Sequence, residues 1–286
     1  MQHKKPSFAL LFTTVCLSIT VLITLIVSTV SLIHLRRLSY TQIEAATKEN
    51  IDNMRNQVEA IITAHVALLD HTIISAIPFM RETIVDRDAL SLHFDDIQAT
   101  ADTIMMIYST NNLLWNGPGG YCAASNSWIP PDSWNNLERP WYQDAKKAQG
   151  KMAFTPPYVD AASGGLVITL AKSVFDKDRR DLGVLGADVS IDSLGTILKE
   201  RNVLPQQQSF LITQEGLFIT SPDESAVMQK DLFTELGLVH YRASVLGSPS
   251  FSAMDDEVFI ASSLIPEANW YLVSVIPAKS IFADAN

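Results

Sequence analysis

Three short groups in the middle of the chain hold side chains that can do chemistry together: Arg139-Pro140-Trp141-Tyr142, then Tyr158-Val159-Asp160, then Gly186-Ala187-Asp188. A planar guanidinium meets a carboxylate through two parallel charge-assisted hydrogen bonds, a geometry that lysine cannot offer. An indole N–H adds another donor, so Arg139 and Trp141 suit a carboxylate. Two aspartates and a phenol oxygen match the three donors and the charge of an ammonium group, and Tyr158, Asp160 and Asp188 supply them. The two ends of a free α-amino acid are thereby provided for. A Gly-x-Ser-x-Gly elbow, a phosphate loop and a His-Glu-x-x-His zinc motif are all missing from the sequence. Asp160 and Asp188 form the kind of pair used in acid–base catalysis, but no nucleophile, metal cluster or cofactor motif accompanies them. The expectation is a non-enzymatic binding pocket that needs no cofactor.

The elements that must position these groups begin with an apolar block. Residues 7–33 carry no charge, and a run of this length exceeds the roughly 20 residues that cross a bilayer core. It is too long for a signal peptide's apolar region, and His34-Leu35-Arg36-Arg37 follows it with no Ala-x-Ala-like site. The reading is a transmembrane helix over 7–35 behind a cytoplasmic N-terminus, 1–6. Lys4 and Lys5 balance Arg36 and Arg37, so the charge rule alone does not orient it. The free N-terminus and the large acidic region downstream favour the N-terminus inside.

Residues 36–80 read as a stalk helix. From 38 to 77 the chain has no Gly or Pro, and Ile51, Met54, Val58, Ile61, His65 and Leu68 recur at helical spacing. This predicts about ten turns that end near Pro78. Such a helix serves either as a stalk packed on its own domain and on a copy in a homodimer, or as a surface helix burying one face on its own domain. His65 lies on the apolar seam and reads as a satisfied core histidine; His71 lies off it, so no helical metal pair is formed.

Beyond the stalk, the polar stretch 81–101 predicts a helix. Short apolar runs at 103–108 and 113–115 around Asn111-Asn112 predict a hairpin. A Gly-rich and aromatic loop extends to Pro131, and a helical element over 131–150 contains residues 139–142. Residues 154–160 are extended, 161–165 turn, and 166–175 and 182–189 form two strands. The charged turn 176–181 lacks the length and glycine spacing of a calcium loop and reads as a solvated hairpin tip. A short helix over 191–200 precedes a boundary at Leu204-Pro205, and strands are predicted at 209–213, 217–220, 257–264 and 270–276. The fold class is α+β: a transmembrane helix, a stalk helix and two antiparallel-sheet modules, 81–203 and 204–286.

The whole-chain balance narrows the function. The 286 residues have a formal net charge of −10 and no basic run away from the first apolar segment, which argues against nucleic acid. The two cysteines, Cys16 and Cys122, imply no disulfide framework.

From residue 38 onward the order of elements resembles the double Cache (dCache) sensor domain, the extracytoplasmic part of bacterial methyl-accepting chemotaxis receptors and many sensor kinases. The most specific part is Arg139-x-Trp141-Tyr142, Tyr158-x-Asp160, and Asp188 after a Gly-x-x-Gly strand, which resembles the family's amino-acid-binding motif. By that resemblance Arg139 and Trp141 hold the ligand carboxylate. Tyr158, Asp160 and Asp188 surround its ammonium, and Tyr142 shapes the wall. The family pattern has a tyrosine five residues before the arginine, where this chain has Trp134. An indole donates but cannot accept, so either Trp134 fills the role with changed geometry, or Tyr121 or Trp128 covers the site.

The resemblance implies two stacked PAS-like modules, 81–203 distal and 204–286 proximal to the membrane, in a receptor of the inner membrane with its sensor outside the cytoplasm. The continuity of the stalk with the anchor suggests that ligand-driven closure is passed along it. The chain reads either as the sensory part of a longer receptor or as a protein that works through partners. Alternatives are a ligand that is not a standard amino acid, the same fold sensing a small carboxylate, a polyamine or no ligand at all with signalling through a periplasmic binding protein, the sensor part of a histidine kinase or cyclase, and an anchored adhesion or scaffold domain. A simple carboxylate would leave two buried anions unpaired, and a polyamine would leave Arg139 unmatched.

Overall fold

The computed structural model describes residues 8–80, 84–99, 105–111, 115–117, 119–204 and 206–281. Two compact units are present, Met1–Glu49 and Asn50–Asn286. Helix α1 (Phe8–Ala76) is 69 residues long and continues through both. In the first unit Cys16–Leu35 is long and apolar enough to cross a bilayer, and none of it is buried. Its threonines return their hydroxyls to the helix: Thr20 to the Cys16 carbonyl (2.9 Å), Thr24 to Thr20 (2.9 Å) and Thr29 to Leu25 (2.7 Å). These polar groups are therefore satisfied without a partner outside the helix.

In the second unit α1 buries a stripe of Ile51, Met54, Val58, Ile62, Leu69 and Ala76. His65 is buried on the same stripe with Nδ1 2.7 Å from the Ile61 carbonyl, the core histidine that its position implied. Pro78 lies in a 3-10 turn (Ile77–Phe79) where the helix stops, because proline has no N–H to continue it. The helix expected over 38–77 is thus one part of a longer, unbroken one. Next comes α2 (Ile84–Gln98), with Leu90 and Phe94 inward.

The first sheet contains β1 (Met105–Ser109), β2 (Cys122–Ala124), β3 (Ala153–Phe154), β4 (Tyr158–Val159), β5 (Leu166–Phe175) and β6 (Asp181–Ser190), with α3 (Pro140–Lys147) between β2 and β3. Its order is β2-β1-β6-β5-β3, β4 also pairs with β5, and every pair is antiparallel. Strand alternation divides its residues. Met106, Tyr108, Ile168, Leu170, Leu185 and Ala187 join the core that holds the α1 stripe. Met105, Ile107, Ala171 and Val184 pack with Trp134, Trp141 and Tyr142 on the other face. Gly183 has φ +147°, and a Cβ there would lie 2.2 Å from the Ser109 carbonyl oxygen. Only glycine lets β1 and β6 approach this closely.

The second sheet follows α4 (Ile191–Glu200), whose N-cap Ser190 accepts from the Ser193 N–H. It contains β7 (Gln208–Ile212), β8 (Ser250–Met254), β9 (Val258–Ile265) and β10 (Trp270–Pro277) in the order β7-β10-β9-β8. Helices α5 (Leu232–Glu235) and α6 (Arg242–Leu246) lie in the β7–β8 connection, and α7 (Ala278–Ile281) follows β10. Phe233 and Val245 of that connection pack with Phe210, Ile212, Ile260 and Val273. The alternate residues Leu211, Phe259, Ala261 and Leu272 join the same core as the α1 stripe and the first sheet.

Four expectations need correction. β1 does not form a hairpin with 113–115, of which 113 and 114 lie outside the described residues. It pairs with β2 and β6 instead, and Trp115 sits in the loop with its indole N–H on the Pro131 carbonyl at 3.1 Å. Arg139 is the N-cap of α3 and not a residue inside a helix, since Pro140 occupies the first helical position. Residues 217–220 make only isolated bridges, Ile212↔Phe218 and Leu217↔Asp231. Strand β8 was not foreseen, because Ser250-Phe251-Ser252-Ala253-Met254 is a half-exposed edge with little apolar alternation.

Candidate ligand-binding site

On the face of the first sheet away from α1, strands, helix and loops enclose a small cavity. Asp188 of β6 sits at its floor, in register with Met105 of β1 on one side and Thr169 of β5 on the other. Met105 and Ile107, two apart on β1, line it beside Asp188. Gly186, two before Asp188, leaves the sheet low there: a Cβ would lie 3.0 Å from Thr169 Cγ2 and 3.5 Å from Trp141 Cε3. Trp141 thereby reaches the cavity from the first turn of α3, and Arg139 reaches it from the cap just before. Tyr158 of β4 and the turn residues Asp160 and Ala161 close one side; Trp128 and Trp134 of the long loop close another. The volume is about 10 Å3, room for roughly one water molecule.

The polar groups are held by networks. Thr169 Oγ1 donates to Asp188 Oδ1 at 2.5 Å and stands 2.6 Å from the Tyr158 hydroxyl. A threonine has a single hydroxyl proton, so the Tyr158 hydroxyl must donate to Thr169 in that arrangement. Asp160 Oδ2 accepts from the Ala162 N–H (3.2 Å), the Ser163 N–H (2.7 Å) and the Ser163 hydroxyl (2.8 Å), which leaves Oδ1 available. Arg139 donates from Nη2 to the Val159 carbonyl at 3.3 Å, and its guanidinium carbon lies 5.5 Å from the Tyr158 ring centre. Trp134 and Trp128 meet edge to face, 5.7 Å apart. The Trp134 indole N–H is buried with no hydrogen-bond partner among the described residues. A buried donor without a partner is costly, and a site that supplies its acceptor removes that cost.

Burial dominates the electrostatics. It raises the Asp188 pKa to about 7; the Thr169 hydroxyl and Arg139 pull it down, and Asp160 pushes it up. Burial, and then the Asp188 charge, also push the Tyr158 phenol well above its ordinary range, so it remains a neutral donor. The site therefore combines one fixed cation, a buried titratable acid and a second acid held in place by its own turn.

Six of the eight residues singled out from sequence line this cavity: Trp134, Arg139, Trp141, Tyr158, Asp160 and Asp188. Tyr142 and Tyr121 do not. The Tyr142 hydroxyl donates to Asn111 Oδ1 at 2.5 Å, and the Tyr121 hydroxyl to the Phe79 carbonyl at 3.0 Å. Sequence reasoning missed Met105, Ile107, Ala161 and the bridging Thr169. The strand period was the available signal: Thr169 is a polar residue in an apolar run, and Met105 and Ile107 share a side of β1. A larger cavity of about 530 Å3 lies between α4 and β7, lined by exposed side chains such as Asp192, Lys199 and Gln208. It holds none of these convergent buried groups.

The chain thus joins two antiparallel sheets in an α+β fold, one of them with a small buried polar cavity. The Cache domain family (dCache_1) matches residues 35–285, and the chain belongs to it. Methyl-accepting chemotaxis protein McpG of Pseudomonas putida is 24% identical over 233 residues, 79% of this chain and 35% of McpG, so the chain spans about a third of that relative. Methyl-accepting chemotaxis protein PscA of Pseudomonas syringae pv. tomato is 30% identical over 189 residues, 64% of this chain and 28% of PscA. Among solved structures, the ligand-binding domain of the Pseudomonas fluorescens chemoreceptor CtaA, in complex with L-alanine, superposes with a TM-score of 0.66 at 19% identity. That match covers 84% of this chain and 99% of the other. At such identity the likeness is one of fold.

Proposed function

We propose that this chain is the sensor region of a transmembrane chemoreceptor, and that it binds a free α-amino acid outside the cytoplasm. Arg139, Trp141 and the orphaned Trp134 N–H take the carboxylate, while Tyr158, Asp160 and Asp188 take the ammonium. One observation carries the reading: a guanidinium, a buried partnerless indole N–H and two buried carboxylates converge on a single cavity. The L-alanine bound by the CtaA domain, and the similarity to the methyl-accepting chemotaxis protein McpG, support it. The apolar stretch Cys16–Leu35 supports insertion in the inner membrane, and the long α1 supports a homodimer joined along it.

Because the cavity has room for only about one water, a ligand must favour a more open or rearranged form, and the equilibrium moves by its affinity difference between forms. The α1 helix shares a core with the sheet that carries the site, which offers a route for that shift toward the membrane. The test is calorimetry on the intact chain in detergent against the twenty amino acids, small organic acids and polyamines. One or more amino acids should bind, and Arg139→Ala and Asp188→Ala should each weaken binding about a hundredfold or more, since each leaves a desolvated charge unpaired. Binding only of an acid or an amine, or amino-acid binding that survives both substitutions, would refute the assignment.

A further inference from the structure

The cavity also limits which amino acids the chain accepts, an inference that rests on the amino-acid reading above. We infer that the ligand is a small apolar α-amino acid whose side chain lies against Met105, Ile107, Ala161 and Trp128. The argument is one of inventory. The charged groups lining the cavity are Arg139, Asp160 and Asp188; Arg139 takes the carboxylate that every α-amino acid carries, and Asp160 and Asp188 share its single ammonium. In the proposed binding mode the Trp134 and Trp141 indoles, which line the cavity, serve the carboxylate, and Tyr158 is committed through Thr169 to Asp188. What remains for a side chain is a thioether, an alkyl group, a methyl and an indole face. An acidic, basic or amide side chain would be buried there without a partner, which polar groups resist strongly.

Size is set by Trp128. Its position is fixed by a turn in which Asn126 (φ 59°) and Ser127 (φ 52°) are both left-handed, a costly pairing for residues with side chains. The Asn126 N–H is anchored on the Asp95 carboxylate of α2 at 2.5 Å, so the turn is tied to a helix. On its other side Trp128 borders a groove of about 190 Å3 along α2, lined by Arg87, Ser91, Leu92 and Asp95. The indole is thus a partition between a tight cavity and open space. Removing it enlarges the cavity and leaves Arg139, Asp160 and Asp188 in place; loss of the edge-to-face contact with Trp134 weakens binding of all amino acids alike and cancels in their ratio.

The test titrates the intact chain, and its Trp128→Ala variant, with glycine, alanine, valine, leucine, phenylalanine, aspartate, glutamate, lysine and arginine. Alanine or valine should bind about a hundredfold or more tighter than any of the four charged amino acids. In Trp128→Ala, affinity for leucine or phenylalanine relative to alanine should rise about tenfold, with the charged set still excluded. A charged amino acid within about tenfold of the best apolar one would overturn the side-chain assignment while leaving the amino-acid reading intact. A leucine-to-alanine ratio unmoved by Trp128→Ala, in a variant that melts like the parent, would remove Trp128 as the wall. Silence toward every amino acid would remove both readings.

Discussion

Asp188 is an acid that burial holds near half-ionised at pH 7, with a pKa of about 7 against an ordinary 3.8. The unfolded chain releases that proton at lower pH. Between the two values the folded state therefore holds more proton, and the stability the group contributes is full below about 4 and lost as pH rises through about 7. An ammonium ligand needs the ionised form. Affinity should consequently fall as pH drops below 7, by up to about tenfold per pH unit, and level off above 8. Asp188→Asn should bind weakly with no such slope, and its ligand-free melting temperature should exceed the parent's at pH 8 but not at pH 4. Calorimetry over pH 5–8.5 and thermal melts over pH 4–8.5 decide it; a flat parent profile would mean that Asp188 is not a partner of the ligand. That Arg139, Asp160 and Asp188 line one cavity was legible from their residue types and joint spacing together, since taken singly each also suits an ion-paired surface or a turn cap. Thr169 was not legible: a threonine in a strand is ordinary until the register sets it opposite Asp188. Tyr142, one helical step beyond Trp141 and so rotated about 100° from it, turns its hydroxyl to Asn111 and does not line the cavity.

Among the elements, the hairpin of β5 and β6 carries the floor of the site, and its geometry depends on what Gly186 lacks. A methyl there would crowd Thr169 Cγ2 at 3.0 Å and touch Ile107 and Trp141 at 3.4 and 3.5 Å. Gly186→Ala should therefore displace the threonine that holds Asp188 and the Trp141 indole that lines the cavity. Ligand affinity should drop about tenfold or more while the far-ultraviolet circular dichroism spectrum is retained, because such overpacking costs about 1–3 kcal/mol locally. Unchanged affinity would show that Trp141 and Thr169 tolerate the shift and that their placement is not what the ligand reads. Elements with strong periodicity and clear punctuation were legible: β5, β6 and α4 match the expected spans within a residue or two. The β1 partner was not, because β2 lies beyond a loop and the nearest apolar run is a decoy in sequence. β8 failed for another reason: an edge strand needs few apolar residues, so its pattern is weak.

For the second unit as a whole, the sequence suggests two modules that meet near residue 204, yet one core cluster takes in the α1 stripe, the first sheet through Ile168, Leu170 and Leu185, and the second through Leu211, Phe259 and Leu272. The junction is polar as well as apolar. Gln207 Nε2 donates to Asn50 Oδ1 of α1 at 3.0 Å and to Ser274 Oγ of β10 at 3.3 Å. Its Oε1 accepts from the Val203 and Leu204 N–H groups at 3.0 and 3.1 Å. Such a satisfied buried amide ties the end of the α4 connection to both the helix and the second sheet. Nothing in a residue pattern reveals this sharing, because it depends on which faces meet. Its consequence is cooperative: a ligand held on the first sheet should stabilise the second. At a ligand concentration one hundred times Kd the folded state gains about 2.7 kcal/mol. Amides that exchange only through global opening should then slow about a hundredfold, and they should include Leu211, Ile260 and Leu272 as well as Leu170 and Leu185. Hydrogen exchange read by mass spectrometry distinguishes the cases. Slowing confined to residues 105–190 would mean that the two sheets open independently, and the path from site to helix would then have to run through the first sheet alone.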